Sequence, residues 1–116
     1  MKKHKTLIIV LAIIAGLIIL VSLGRLTNKP EKIFFYGDTC VHCKNVETYM
    51  NENGTRNKLK FQELEVFNNQ DNAQYLAQVS KQCGLDLTNG IQVPVFYDGK
   101  TCLLGDEPII NYLKQQ

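Results

Sequence analysis

Two of the four cysteines in this 116-residue chain stand three positions apart, in Cys40-Val41-His42-Cys43. A cysteine sulfur is a strong nucleophile near neutral pH once its thiol is ionised. A spacing of three lets the second sulfur reach the first across one helical turn, so Cys43 can displace whatever Cys40 has captured. The chemistry is thiol–disulfide exchange, with Cys40 as nucleophile and Cys43 as the buried resolving partner. It calls for no cofactor and no resident metal, because the sulfurs themselves carry the electrons. His42 lies between the two. As an imidazolium it would favour the Cys40 thiolate, and a stabilised thiolate makes the disulfide form a stronger oxidant. Lys44 acts in the same sense or is simply an exposed lysine at a helix start. Cys40, His42 and Cys43 also read as soft metal ligands, although structural zinc takes four and only three cluster here.

The elements around the motif are those such chemistry needs. Lys32 to Tyr36 has the β-branched and aromatic content of a buried strand, and Gly37-Asp38-Thr39 breaks it. From the cysteines onward Val46, Tyr49 and Met50 recur at helical spacing as far as Asn53-Gly54. The motif therefore falls at a helix N-terminus, where unpaired backbone N–H groups and the helix dipole stabilise a thiolate. Leu59 to Val66 reads as a second strand and Asn68 to Asn72 as a polar turn. Ala73 to Cys83 reads as a helix with Leu76, Val79 and Cys83 on one stripe and Gly84 past its end. Asp86 to Gly90 is a loop of turn-forming residues. Val93 to Tyr97, a turn at Asp98-Gly99 and Lys100 to Leu104 form a hairpin. Asp106 and Glu107 open a last helix, with Pro108 in its first turn and Ile109, Ile110 and Leu113 facing inward. The order βαβαββα predicts an α/β domain, a four-stranded mixed sheet with helices on both faces.

The N-terminus is of another kind. Leu7 to Leu23 is apolar except for Gly16 and Ser22, and residues 6–24 match the hydrocarbon core of a bilayer in length. Lys2, Lys3 and Lys5 precede it, which keeps the N-terminus cytoplasmic and sends the rest of the chain outside. The expected organisation is a basic flank at 1–5, a signal-anchor at 6–24, a linker at 25–31 and one domain at 32–116. The alternative is a cleaved signal peptide, with Ser22 and Gly24 as small residues before the cut. The first thirty residues hold five basic side chains and no acid. Residues 31–116 carry eight Lys or Arg against eleven Asp or Glu, a net of −3. The positive charge thus belongs to the membrane end, and nothing points to nucleic acid.

The motif and its surroundings resemble the thioredoxin superfamily in its minimal, glutaredoxin-sized form, over about residues 31–116. Cys-Val-His-Cys is similar to the Cys-Pro-His-Cys of DsbA-type disulfide oxidoreductases, and Val93-Pro94 matches the family's cis-proline step. The resemblance implies a cis Pro94 beside the disulfide and Val93 offering backbone hydrogen bonds to a bound thiol substrate. Gly105-Asp106 resembles the late Gly-rich turn of glutaredoxins. Phe34 stands where thioredoxins keep a buried acid, Val41 replaces a common proline, and no tryptophan precedes the motif.

Cys83 and Cys102 read first as two buried or half-buried free thiols, which behave as small hydrophobes. A disulfide between them requires Cα atoms about 4.4–6.8 Å apart, which a helix and an edge strand need not satisfy. The expected partners are extracytoplasmic protein thiols or disulfides, together with a membrane redox partner. The competing expectation within the family is a glutathione-dependent glutaredoxin.

Overall fold

The computed structural model describes residues 1–26 and 31–116; most of the expected linker, residues 27–30, lies outside the described residues. Helix α1 (Lys2–Leu26) runs for 25 residues, about 37 Å at the rise of an α-helix. Leu, Ile and Val side chains project from all around it and are exposed. A helix apolar on every side has no stable place in water, and this one is long and apolar enough to cross a membrane. The Thr6 and Ser22 hydroxyls donate to the carbonyls of Lys2 at 3.1 Å and Ile18 at 2.9 Å, satisfying two polar groups within the helix.

The remaining elements form the expected four-stranded mixed sheet with helices on both faces. They are β1 (Ile33–Tyr36), α2 (Val41–Glu52), α3 (Thr55–Lys58), β2 (Gln62–Glu65), α4 (Gln70–Gln82), β3 (Val95–Tyr97), β4 (Cys102–Leu104) and α5 (Asp106–Leu113). The strand order is β2-β1-β3-β4, with β1 parallel to β2 and antiparallel to β3, and β4 antiparallel to β3. Strand β1 is central, and its alternating side chains supply both layers. Ile33 and Phe35 pack with Val66, Leu76, Val79 and Val95 under α4. Phe34 packs on the opposite face with Val46, Met50, Phe96, Ile109 and Leu113, under α2 and α5. Each such side chain, fully buried, contributes roughly 1.5–3 kcal/mol. Two buried faces explain why β1 reads as a continuous apolar run rather than an alternating one.

Boundaries differ from expectation where polar side chains do structural work. Helix α4 starts at Gln70, inside the stretch expected to be a turn, because the Asn69 side chain accepts from the Asn72 N–H at 3.1 Å and caps it. Gly54 takes φ +62° after α2, and a separate helical turn, α3, follows it. The β2 ladder is shorter than Leu59–Val66, since Leu59 and Phe61 pack against the α2–α5 core cluster from outside the ladder.

The largest correction concerns Cys83 and Cys102, which are bonded to each other rather than free. The C-cap of α4, Cys83, meets the first residue of β4. Both cysteines pack against the same core layer, with Cα atoms 5.8 Å apart. That separation lies within the bridging range. A 19-residue spacing predicts about 3 kcal/mol of stabilisation through the unfolded chain. Replacing both cysteines by Ala in the full chain should lower the urea midpoint of the domain accordingly. An unchanged midpoint would show that the bridge constrains nothing.

Candidate redox site

The site forms where β1 gives way to α2. The Cys40 N–H donates to the Gly37 carbonyl at 3.1 Å, closing a tight turn that sets Cys40 at the N-cap. Its extended backbone (φ −87°, ψ 114°) aims the side chain back over the first turn, and the Cys43 N–H donates to Cys40 Sγ at 3.1 Å. The sulfur thus takes the place of a capping oxygen and satisfies one of the helix's orphan donors. The two cysteines are joined as a disulfide, with Cα atoms 5.2 Å apart. Cys40 is partly exposed, whereas Cys43 is completely buried.

Three further elements meet at this sulfur. The Val93–Pro94 peptide bond is cis, and the Val93 carbonyl oxygen lies 3.9 Å from Cys40 Sγ. Pro94 is buried, and its own carbonyl accepts the Gly105 N–H at 3.0 Å, so the turn into α5 is tied to the cis-proline loop. Beneath the motif Phe34 fills the core with hydrocarbon. Among the described residues the buried polar side chains are Thr55 and Ser80, so no buried acid stands ready to take a proton from Cys43.

His42 is 70% exposed, and its ring is engaged away from the motif: Nδ1 lies 3.0 Å from Asp106 Oδ2, at the start of α5. The Asn45 side-chain amide donates to the same oxygen at 2.7 Å. Hydrogen bonds from Asn45 first and His42 second pull the Asp106 carboxyl down to about 2. The Lys44 ammonium pairs with Glu47 at 2.9 Å. Asp106 was legible in the sequence as an acid opening a helix and as part of the Gly105-Asp106 turn; its engagement with α2 needs the tertiary packing of α5. Among the described residues no three His, Cys, Asp or Glu side chains converge as metal ligands.

Glu65, at the end of β2, holds the loop that presents Cys40. Its carboxylate accepts the backbone N–H groups of Phe67 and Asn68 at 2.8 Å each and that of Asp38 at 3.3 Å. The Asn68 amide reaches back to the Asp38 carboxylate at 3.1 Å. The Phe67 ring lies against Gly37, where a Cβ would collide with it. Phe67 is itself 54% exposed and Val41 74%, so apolar surface adjoins the nucleophile.

A cysteine-capped helix beside a cis-proline, on this mixed sheet, defines a thioredoxin-superfamily redox protein. Residues 28–101, more than half of the chain, match the glutaredoxin family, and the chain belongs to that family. Among solved structures, a glutaredoxin from Archaeoglobus fulgidus aligns with a TM-score of 0.50 over 74% of this chain and 84% of its own. At 19% identity, that likeness is one of fold. No curated protein matches the chain in sequence.

Glu65 gives a pH-dependent handle on the loop. Desolvation pushes its carboxyl upward, but the N–H groups of Asn68, Phe67 and Asp38 outweigh this and hold it below 4.5. A depressed carboxyl contributes stability that is present above its unfolded value and lost as the pH falls through its folded one. Glu65→Gln should therefore lower the melting temperature most above pH 4.5, with the gap to wild type closing in stronger acid. A gap independent of pH would remove the carboxylate from the explanation.

Proposed function

We propose that this glutaredoxin-family protein is a membrane-anchored, extracytoplasmic thiol–disulfide oxidoreductase acting on protein substrates through Cys40 and Cys43. The observation that carries the reading is the unequal pair: an accessible sulfur capping a helix and a buried sulfur bonded to it. In the oxidising direction a substrate thiolate attacks Cys40 Sγ and Cys43 leaves as a thiolate. A second substrate thiolate then attacks the substrate sulfur of the mixed disulfide and expels Cys40 as a thiolate. The substrate gains one disulfide and gives up two electrons, which a membrane redox partner must accept to regenerate the pair. Run backwards, the same steps reduce a substrate disulfide. In either direction Val93 and Pro94 would line the bound substrate thiol.

Location is supported from both ends of the chain. Lys2, Lys3 and Lys5 flank the apolar helix on its N-terminal side, which favours a cytoplasmic N-terminus. The Cys83–Cys102 bridge, remote in sequence from the motif, suits a compartment in which disulfides persist.

Family membership favours glutathione as the alternative partner. The charges near the site favour polypeptide. Asp38, Glu65 and Glu107 lie on the loops and helix start around the motif, and the nearby Lys44 ammonium is engaged by Glu47. Glutathione, with two carboxylates and one ammonium, is repelled by such surroundings, whereas the exposed Val41 and Phe67 offer a polypeptide apolar contact.

Trapping tests the assignment. In membranes, Cys43→Ser should accumulate mixed disulfides with proteins, visible as heavier bands that collapse on reduction. Cys40→Ser should give none. Equal adducts from both variants, or adducts with glutathione alone, would contradict the proposal.

A further inference from the structure

The motif alone suggests a histidine acting freely on the neighbouring thiolate, but His42 is held by a carboxylate from another helix. Both oxygens of that carboxylate are engaged: Oδ2 by His42 and the Asn45 amide, and Oδ1 by the Glu107 N–H at 3.1 Å. Asp106 follows Gly105, whose N–H holds the Pro94 carbonyl. The same helix start therefore touches the cis-proline loop and the residue between the two cysteines.

We propose that Asp106 is a positioning residue for the redox pair. It anchors His42 through α5 and sets a negative charge against the ring, so that the disulfide is a weaker oxidant than Cys-x-His-Cys by itself would make it. The inference rests on the redox reading above and adds what sets its direction.

The sign follows from charge alone. With Asp106 present, the pair carries between −1 and 0, according to whether His42 holds a proton. With Asn at position 106 it carries between 0 and +1. In either state of the ring, removing the carboxylate makes the surroundings of Cys40 more positive by one charge. Positive charge favours the thiolate, stabilises the reduced form and strengthens the oxidant. Removing His42 instead leaves an uncompensated carboxylate and acts in the opposite sense. The other charges nearby stay as they are: Lys44 on Glu47, Asp38 on the Asn68 amide, Glu65 on its three N–H groups, and Glu107 beside Asp106.

The test is redox equilibration of the full chain in detergent against glutathione buffers, with the reduced fraction of Cys40 and Cys43 read by alkylation and mass. Asp106→Asn should move the midpoint roughly three- to ten-fold toward less reducing buffer. His42→Ala, on an exposed side chain, should move it the other way. Asp106→Glu, which keeps the charge, should stay near wild type. If Asp106→Asn leaves the midpoint in place, or if both neutralising variants shift it in one direction, the inference fails. It fails also if His42→Ala has no effect, and that arm decides the matter should Asp106→Asn not fold. A merely structural Asp106 would lower the melting temperature without this pair of opposed shifts. Failure of the redox reading looks different, since the wild-type pair would then not titrate reversibly at all.

Discussion

Everything at this site depends on one sulfur standing where a capping oxygen usually stands. The Cys43 N–H points at Cys40 Sγ because Cys40 is the last extended residue before α2. That single hydrogen bond couples the redox state of the pair to the start of a helix. A reduced Cys40 inherits the unpaired N–H groups and the positive end of the dipole, both of which favour its ionised form. The rest of the domain acts to keep that geometry fixed. Phe34 and the α2–α5 core hold the helix from below, cis-Pro94 closes the side, and Glu65 gathers the preceding loop.

The domain uses its two disulfides at opposite ends. Cys40–Cys43 sits at the C-terminal end of β1, and Cys83–Cys102 joins the far end of α4 to the start of β4. Cys102 pairs with Tyr97, which pairs with Ile33 at the beginning of β1, so the sheet separates the two bridges along its strands. One bridge is short and partly open to solvent, as an exchanging pair must be. The other ties an edge strand to a helix.

Much of this was legible because local and tertiary demands agree. The Cys-x-x-Cys spacing after an apolar strand, Val93-Pro94 before a hairpin, and Gly105-Asp106 at a helix start each combine a local signal with a fixed place in one topology. The sequence could not show which distant groups those elements bring together. Cys83 and Cys102 looked like two hydrophobic thiols, since their approach depends on where α4 ends over the sheet. His42 looked free, since only the docking of α5 against α2 supplies Asp106. Glu65 looked like an ordinary polar strand residue, since its three N–H partners come from two loops that meet only in the fold. Asn69 was hidden for the opposite reason: a capping asparagine and a turn asparagine have the same local chemistry.

The central claim is that the fold ionises Cys40, and the pH dependence of its alkylation tests this most directly. The full chain, reduced and held in detergent, is exposed to iodoacetamide across the pH range, and modification of each cysteine is followed by mass. Cys40 should react with an apparent pKa well below the ~8.5 of a free thiol, while Cys43 stays protected in the folded domain. An ordinary value for Cys40, or equal reactivity of the two sulfurs, would contradict the account.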